Sequence, residues 1–312
     1  MSKKILIIST GGTFCCSESK DGLIPALHKD TLKEKLAPVI NGAELEILDL
    51  FQLDSANMLP KHWKIMADIV GENYKKFNGI VIIHGTDTMA YTSSMLSLML
   101  DGIPIPVVIT GSQLSIDNPL ADALENMRAA INMALAGYPG VFVAFNRKIM
   151  LAGCVSKTKS KSFNAFESIN KENVVEINAF GMKLNKNVLP KPNEFFKVRS
   201  NYCEDVFLLK LTPGLKPDIL DLLVEKGYKG IVIESYGLGG LPFLENNFID
   251  KVKEIIDKGI KVVIATQCTY DGINLDLYET GKRTLSAGVI NLPLATKEYA
   301  YAKLMWELGN NK

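Results

Sequence analysis

The chain is expected to be an α/β protein of two domains, each built on a parallel sheet. Three observations carry this expectation. Short, nearly continuous apolar runs alternate with amphipathic helical stretches. The alternation breaks once, in a proline- and lysine-bearing segment near residue 190. The length, 312 residues, suits about two domains.

In order, the strand-like runs are KILIIS (4–9), ELEILDL (44–50), GIVIIH (79–84), IPVVIT (105–110) and GVFVAF (140–145). Strands covered by helices on both faces read as unbroken apolar runs, not as alternation. Between them, Trp63, Met66, Val70 and Phe77 recur near a 3.6-residue period over 60–77, and Pro60 suits the first turn. Over 119–136, Leu120, Leu124, Met127, Ile131 and Leu135 form a stripe. Asn118 is the expected N-cap, Pro119 the first helical residue and Gly137 the end. Strand, helix, strand implies right-handed crossovers in a parallel sheet. These elements make an N-terminal domain over 1–182, followed by a linker at 183–205. VFLLKL (206–211), GIVIESY (230–236) and KVVIAT (261–266), with helical stretches near 214–227 and 243–259, make a smaller C-terminal domain over 206–312.

Composition excludes several function classes. The chain is 47% hydrophobic and 22% charged, with net charge +1 and the two signs interspersed, so no basic field points to nucleic acid. The N-terminal apolar run, Ile5 to Ile8, is shorter than the roughly 7–15 residues of a signal-peptide core. No stretch approaches the roughly 20 apolar residues that span a membrane. Five cysteines (15, 16, 154, 203, 268) form no Cys-x-x-Cys pair, and three histidines (28, 62, 84) are scattered. Neither a disulfide framework nor a metal site is expected, and a cytoplasmic protein with reduced thiols is. GLGG (237–240) is not Gly-x-Gly-x-x-Gly, and no phosphate loop occurs. No cofactor is expected.

In a parallel sheet the strands' carboxyl ends share one edge, where ligands usually bind. After the first strand comes TGGTFCC, with Thr10, Gly11, Gly12 and Thr13. Asp54 and Ser55 follow the second strand in DSANM. Thr86, Asp87 and Thr88 follow the third in GTDT, and Ser112 and Gln113 the fourth in TGSQ. Lys157, Lys159 and Lys161 lie in VSKTKSK, after the short run IMLAGC (149–154). Taken singly, Asp54, Thr86 or Asp87 reads as a helix cap, the lysines as a solvated loop, and His84 as a packing residue. Together they put small hydroxyls, two carboxylates and a lysine on one rim. A threonine hydroxyl is a weak nucleophile and needs a base. A lysine amine whose pKa burial lowers, held by a carboxylate, can serve. Asp87 and Lys157 can form such a pair around Thr86, and backbone N–H groups of the glycine turns can meet a developing oxyanion.

TGGT, DSANM, HGTDTMAYTSSMLSLML, TGSQ and SKTKSKSFNAF, with FESIN, SYGLGG, TQC and TKEYAYAKLMWELG, together resemble the L-asparaginases across nearly the whole chain. The resemblance is to the cytoplasmic, type I branch of the bacterial-type family. It implies a flavodoxin-like N-terminal domain, a smaller Rossmann-like C-terminal domain, and hydrolysis of L-asparagine to aspartate and ammonia. Thr13 resembles the family's nucleophile, Thr86 and Asp87 its second threonine and acidic partner, and Lys157 the lysine that completes the set. Lys157 lies nine residues before Phe166, as the family pattern requires. Asp54 and Ser55 resemble the residues that hold the substrate's amino-acid head group. Ser112 lies where the family lines the amide pocket, and Gly12 joins the substrate-binding set. A homodimer or homotetramer is implied, with sites formed between subunits.

The chain departs from the family pattern in places. Leu23 stands where many members carry a tyrosine in the mobile loop, so that proton route is missing. Glu234 precedes SYG where some type I enzymes use an arginine to bind regulatory asparagine, so that activation is expected to be absent or altered. Two other roles compete with the hydrolase. One is an amidase subunit that makes ammonia for tRNA-dependent amidation, a type that carries an extra N-terminal domain for which TGGT at residue 10 leaves no room. The other is an amino-acid-binding protein without catalysis.

Overall fold

The computed structural model describes residues 2–19, 22–25, 29–40 and 42–310, with the side chains of 17–19 and 22–25 outside that description. The chain divides into two compact units, Met1–Ser200 and Asn201–Lys312.

The first unit opens with β1 (Lys4–Gly11), the ribbon β2 (Cys16–Ser19) and β3 (Gly22–Pro25), α1 (Lys29–Leu36) and β4 (Glu44–Leu53). It continues through α2 (Pro60–Asn73), β5 (Gly79–Ile83), α3 (Met89–Met99), β6 (Pro106–Thr110) and α4 (Ala123–Ala136). Six short strands close it: β7 (Gly140–Phe145), β8 (Lys148–Leu151), β9 (Val155–Lys157), β10 (Phe166–Ser168), β11 (Val175–Asn178) and β12 (Gly181–Leu184). The main sheet has the order β12-β11-β8-β7-β6-β5-β1-β4. Strands β4, β1, β5, β6 and β7 run parallel. Their order, second-first-third-fourth-fifth, is the flavodoxin winding, which reverses direction between β1 and β5.

The central strands β1, β5, β6 and β7 are buried on both faces, which explains their unbroken apolar runs. Ile5 and Ile7 of β1 join Val81, Ile83, Val108 and Phe142 in a core with Leu32 and Leu36 of α1 and Met127 and Ile131 of α4. Leu6 and Ile8, between them, are equally buried. Helix α3 packs on α2, β7 and β9. Each such buried side chain contributes roughly 1.5–3 kcal/mol relative to exposure.

Two expectations are corrected here. The sheet is not wholly parallel, because β8, β11 and β12 extend it antiparallel. Asn146 and Arg147 join β7 to β8 with φ of 46° and 61°, a tight left-handed turn that only a hairpin accommodates. The helix expected from Pro119 starts at Ala123. Asn118 makes an Asx turn, its Oδ1 accepting from Leu120 N–H at 2.9 Å. Asp122 then precedes the helix with its carboxylate turned to another loop. Gly137 does end the helix, at φ 78°.

Beyond β12 the chain stays on the first unit. Asn193 N–H donates to Gly102 O and Arg199 N–H to Met99 O. Ser200 Oγ donates to Asp68 Oδ1 at 2.6 Å and accepts from Lys64 Nζ at 2.9 Å.

The second unit contains β13 (Val206–Lys210), α5 (Ile219–Glu225), β14 (Gly230–Ser235), α6 (Phe248–Asp257), β15 (Lys261–Thr266), α7 (Glu279–Ser286), β16 (Ile290–Asn291) and α8 (Lys297–Asn310). Its four strands are parallel and in sequential order. Ile231, Ile233, Val262 and Ile264 pack with Leu220, Phe248, Val252 and Ile255, while α8 covers β13, β14 and β15. Among the described residues no helix is long and apolar enough to cross a membrane, and no group of His, Cys, Asp and Glu has the makings of a metal site. All five cysteines are free.

Candidate active site

The loops after β1, β4 and β5 meet where the winding reverses. Thr10 ends β1 and fixes it to β5, its Oγ1 donating to Ile83 O at 2.8 Å. Gly11 has φ +99°, and a Cβ there would lie 2.5 Å from Leu53 N. Gly12 has φ +74°, and a Cβ there would lie 2.4 Å from Gly85 Cα. A side chain on Gly85 would strike Ser55 Cβ and Oγ at 2.7 Å. Glycines at 12 and 85 thus let three loops touch backbone to backbone. Thr13 and Thr86 each follow one of the two touching glycines.

Thr13 begins a 3-10 turn, Thr13–Cys15, and is half-buried. Its hydroxyl has no hydrogen-bond partner among the described residues. Gly12 N–H is committed to Leu53 O at 2.8 Å, so what Gly12 offers is small size rather than a free donor. Asp54 is exposed and caps the Ser55–Asn57 turn, Oδ1 accepting from Ala56 N–H at 2.8 Å. Its Oδ2 makes no hydrogen bond with a described residue. Ser55 is buried; its Oγ accepts from Asp87 N–H at 3.2 Å and its carbonyl from Thr88 Oγ1 at 2.8 Å.

The capping reading of the Thr-Asp-Thr segment fails. Thr88 is the N-cap of α3, and no side chain caps it. Thr86 and Asp87 are turned instead to a lysine. Lys157 Nζ donates to Thr86 Oγ1 at 2.8 Å and to Asp87 Oδ1 at 2.7 Å. The lysine side chain is 17% exposed and the aspartate 65%. A hydroxyl, an amine and a carboxylate in one hydrogen-bonded row can take up, hold and return a proton.

Lys157 is placed by register. In the β9–β10 hairpin it lies opposite Phe166, whose buried ring packs at 4.8 Å on Phe145 of β7. The nine-residue spacing is the arc of that hairpin. Lys159 turns to Glu167 at 2.7 Å, and Lys161 is exposed. Ser112 is buried, its Oγ donating to Leu114 O at 2.5 Å. So the structure gathers Gly12, Ser55, Thr86, Asp87 and Lys157 by direct contact. Thr13 and Asp54 flank that cluster in sequence, and Ser112 sits on the next loop. Leu23 lies outside the residues whose side chains are described.

Two supporting residues, Asp122 and Asn126, carry no site signal of their own in the sequence. Asp122 accepts from Gln113 N–H at 2.9 Å and from Asn126 Nδ2 at 2.8 Å, and burial raises its carboxyl pKa. Asn126 also donates to Gly111 O at 3.0 Å. Gln113 Nε2 donates to Ser160 O and Ser162 O, both at 3.1 Å, tying down the arc after Lys157. The only sequence hint was an Asp and an Asn four residues apart at a helix start. Cys15 is buried and its thiol pushed up to about 11 by that burial, which leaves it protonated and a poor nucleophile.

Residues 4–189 match the family model described as "Asparaginase, N-terminal", and residues 205–312 match the "Glutaminase/Asparaginase C-terminal domain". The chain is 40% identical over 312 residues to an L-asparaginase of Thermococcus kodakarensis, covering 99% of this chain and 94% of that protein. It is 35% identical over 321 residues to a glutamyl-tRNA(Gln) amidotransferase subunit of Pyrococcus abyssi, covering 99% of this chain and 73% of that one. Among solved structures, the thermostable L-asparaginase from Thermococcus kodakarensis matches with a TM-score of 0.91 and 39% identity, over 98% of this chain and 93% of that one. L-asparaginase I from Vibrio cholerae matches with a TM-score of 0.89 and 28% identity, over 100% and 94%.

Proposed function

This chain belongs to the asparaginase family, and from that premise we propose that it hydrolyses the side-chain amide of L-asparagine, with Thr13 as nucleophile. The observation that carries the reading is the Thr86–Lys157–Asp87 row, 2.8 and 2.7 Å long, beside two touching glycine turns.

Thr13 Oγ attacks the amide carbon while its proton passes to the Thr86–Lys157–Asp87 row. The proton then goes to the departing nitrogen as the C–N bond breaks, releasing ammonia and leaving an ester on Thr13. Water attacks the ester, its proton restores the threonine hydroxyl, and aspartate leaves. The open Oδ2 of Asp54 suits the substrate ammonium, and Ser55 with nearby amides suits its carboxylate. An L-asparaginase that needs no cofactor or metal for this route is the result.

Ammonia release across a wide range of asparagine concentrations tests the reading, with Thr13→Ala alongside. Turnover by the parent and a loss of roughly 10³-fold or more in the variant is the expected result. No turnover, with asparagine still raising Tm, would make the chain a binding protein instead. The 35% identity to an amidotransferase subunit supports a second reading, a glutamine-dependent ammonia source. A kcat/KM for glutamine above that for asparagine would favour it.

A further inference from the structure

The loop after β6, residues 111–116, holds two parts of the candidate site at once. One is the turn that carries Thr13. Buried Ser115 donates through Oγ to Cys16 O at 2.5 Å, and Ile116 N–H donates to Phe14 O at 3.3 Å. The other is the arc between Lys157 and Phe166. Gln113 Nε2 donates to Ser160 O and Ser162 O, each at 3.1 Å, and the pairing of Lys157 with Phe166 closes that arc. Thr13 Oγ1 makes no hydrogen bond with a described residue, so its backbone alone sets its place. Ser115 and Ile116 hold that backbone just beyond it.

One buried carboxylate anchors this loop. Asp122 Oδ1 accepts from Gln113 N–H at 2.9 Å and from Leu114 N–H at 3.3 Å, and Oδ2 accepts from Asn126 Nδ2 at 2.8 Å. Asn126 is fully buried and completes the anchor. Its Nδ2 also donates to Gly111 O at 3.0 Å, and its Oδ1 accepts from Asn146 N–H at 2.8 Å in the turn between β7 and β8. An aspartate just before a helix ordinarily accepts from that helix's own free N–H groups. Asp122 precedes α4 and caps none of them. Burying a carboxylate is costly unless donors meet it, and its donors here are the amides of the loop and the side chain of Asn126.

We propose that Asp122 is a positioning residue: by anchoring residues 111–116 it fixes the Thr13 turn and the arc after Lys157 in one register, so that the Thr13 hydroxyl keeps its distance from the Thr86–Lys157–Asp87 row. This rests on the asparaginase reading of Thr13 and Lys157. The carboxylate makes no hydrogen bond to Thr13, Thr86, Asp87 or Lys157 and takes no part in proton transfer. It acts through the loop. A proton passes between two groups only within hydrogen-bond reach, and a misplacement of about 1 Å costs roughly 10²-fold in rate.

Three variants separate the anchor from its two arms. Ser115→Ala removes the tie to the Thr13 turn, and Gln113→Leu removes the tie to the arc. Asp122→Asn sets an amide N–H₂ against donors and loosens both. In ammonia release, each arm variant should lower kcat roughly fivefold with KM within about threefold. Asp122→Asn should lower kcat roughly 50-fold. Adding either arm variant to Asp122→Asn should cost less than it costs alone, because the shared anchor is already lost. Limited trypsin digestion gives a readout besides activity, since Lys159 and Lys161 lie in the arc. Cleavage there, located by mass spectrometry, should quicken several-fold in Gln113→Leu and Asp122→Asn and stay at the parent's rate in Ser115→Ala. A lowered Tm in Asp122→Asn with the parent's kcat and cleavage rate would reduce Asp122 to a structural residue and overturn the proposal. So would arm effects that add in full to that of Asp122→Asn. If Asp122→Asn does not fold, the parent's kcat in both arm variants overturns it, and the expected losses with the arc-specific cleavage uphold it. A parent that releases no ammonia would sink the asparaginase reading and the catalytic purpose with it, while the cleavage pattern would still show whether Asp122 fixes the arc.

Discussion

Lys157 joins the two kinds of group the proposed chemistry needs, a hydroxyl and a carboxylate, and it does so with one nitrogen. A compact ammonium with three rotatable donors can reach Thr86 Oγ1 and Asp87 Oδ1 together and can give up a proton, which a guanidinium cannot. Lys157→Arg should therefore fail to rescue activity. We expect kcat to fall about 10²-fold or more, with the fold kept as judged by circular dichroism. Near-parent activity in that variant would remove the lysine from the proton route. His84 sets a different dependence. Burial lowers its pKa from 6.5 to about 4 in the folded chain. Between those values the unfolded chain binds more protons than the folded one, so stability rises with pH through that window. The contribution is complete above about pH 6.5 and is lost as pH falls toward about 4. Asp122 has the opposite sign, its pKa being raised, so it favours the folded form as pH falls through the carboxylate range. Urea midpoints between pH 4 and pH 8 should show the rise, and His84→Asn should flatten it.

At the level of loops and strands, the site depends on backbones that touch. Gly12 sits at φ +74° with Gly85 Cα where its Cβ would be. Gly12→Ala is expected to cost about 2–4 kcal/mol, because both the conformation and the contact are lost. An unchanged denaturation midpoint would mean that the loops part without penalty. Much of this was legible in the sequence, for a physical reason. Parallel strands covered on both faces advertise themselves as apolar runs, and their carboxyl ends must share an edge, so TGGT, DSAN and GTDT fall together. The nine-residue spacing from Lys157 to Phe166 was legible only through the family pattern; its physical reason, the pairing of the two residues across the β9–β10 hairpin, comes from the structure. Other features rest on partners distant in sequence. Trp63, Thr92 and His84 form one row from three elements. Asp122 reads in the sequence as part of a helix, yet its carboxylate holds Gln113 and Leu114. Strands β8, β11 and β12 span four residues each, too few for periodicity to speak.

For the whole molecule, one residue of the second unit departs from the family pattern. Glu234, next to the end of β14, is buried, and its Oε1 lies 4.0 Å from Lys297 Nζ. We propose that an acidic residue there does not hold a regulatory amino acid by its carboxylate, so asparagine saturation is expected to be hyperbolic. A sigmoidal curve that Glu234→Ala abolishes would reverse that view. The family resemblance also leads us to propose a homodimer or homotetramer, which sedimentation equilibrium would size. The two units differ in one more respect. The protein has two tryptophans, and each unit holds one: Trp63, 5% exposed, in the first and Trp306, 9% exposed, in the second. Intrinsic fluorescence is thus divided between the units. Trp306→Phe leaves a single tryptophan, Trp63, hydrogen-bonded to Thr92 and through it to His84, so its light reports on the first unit alone.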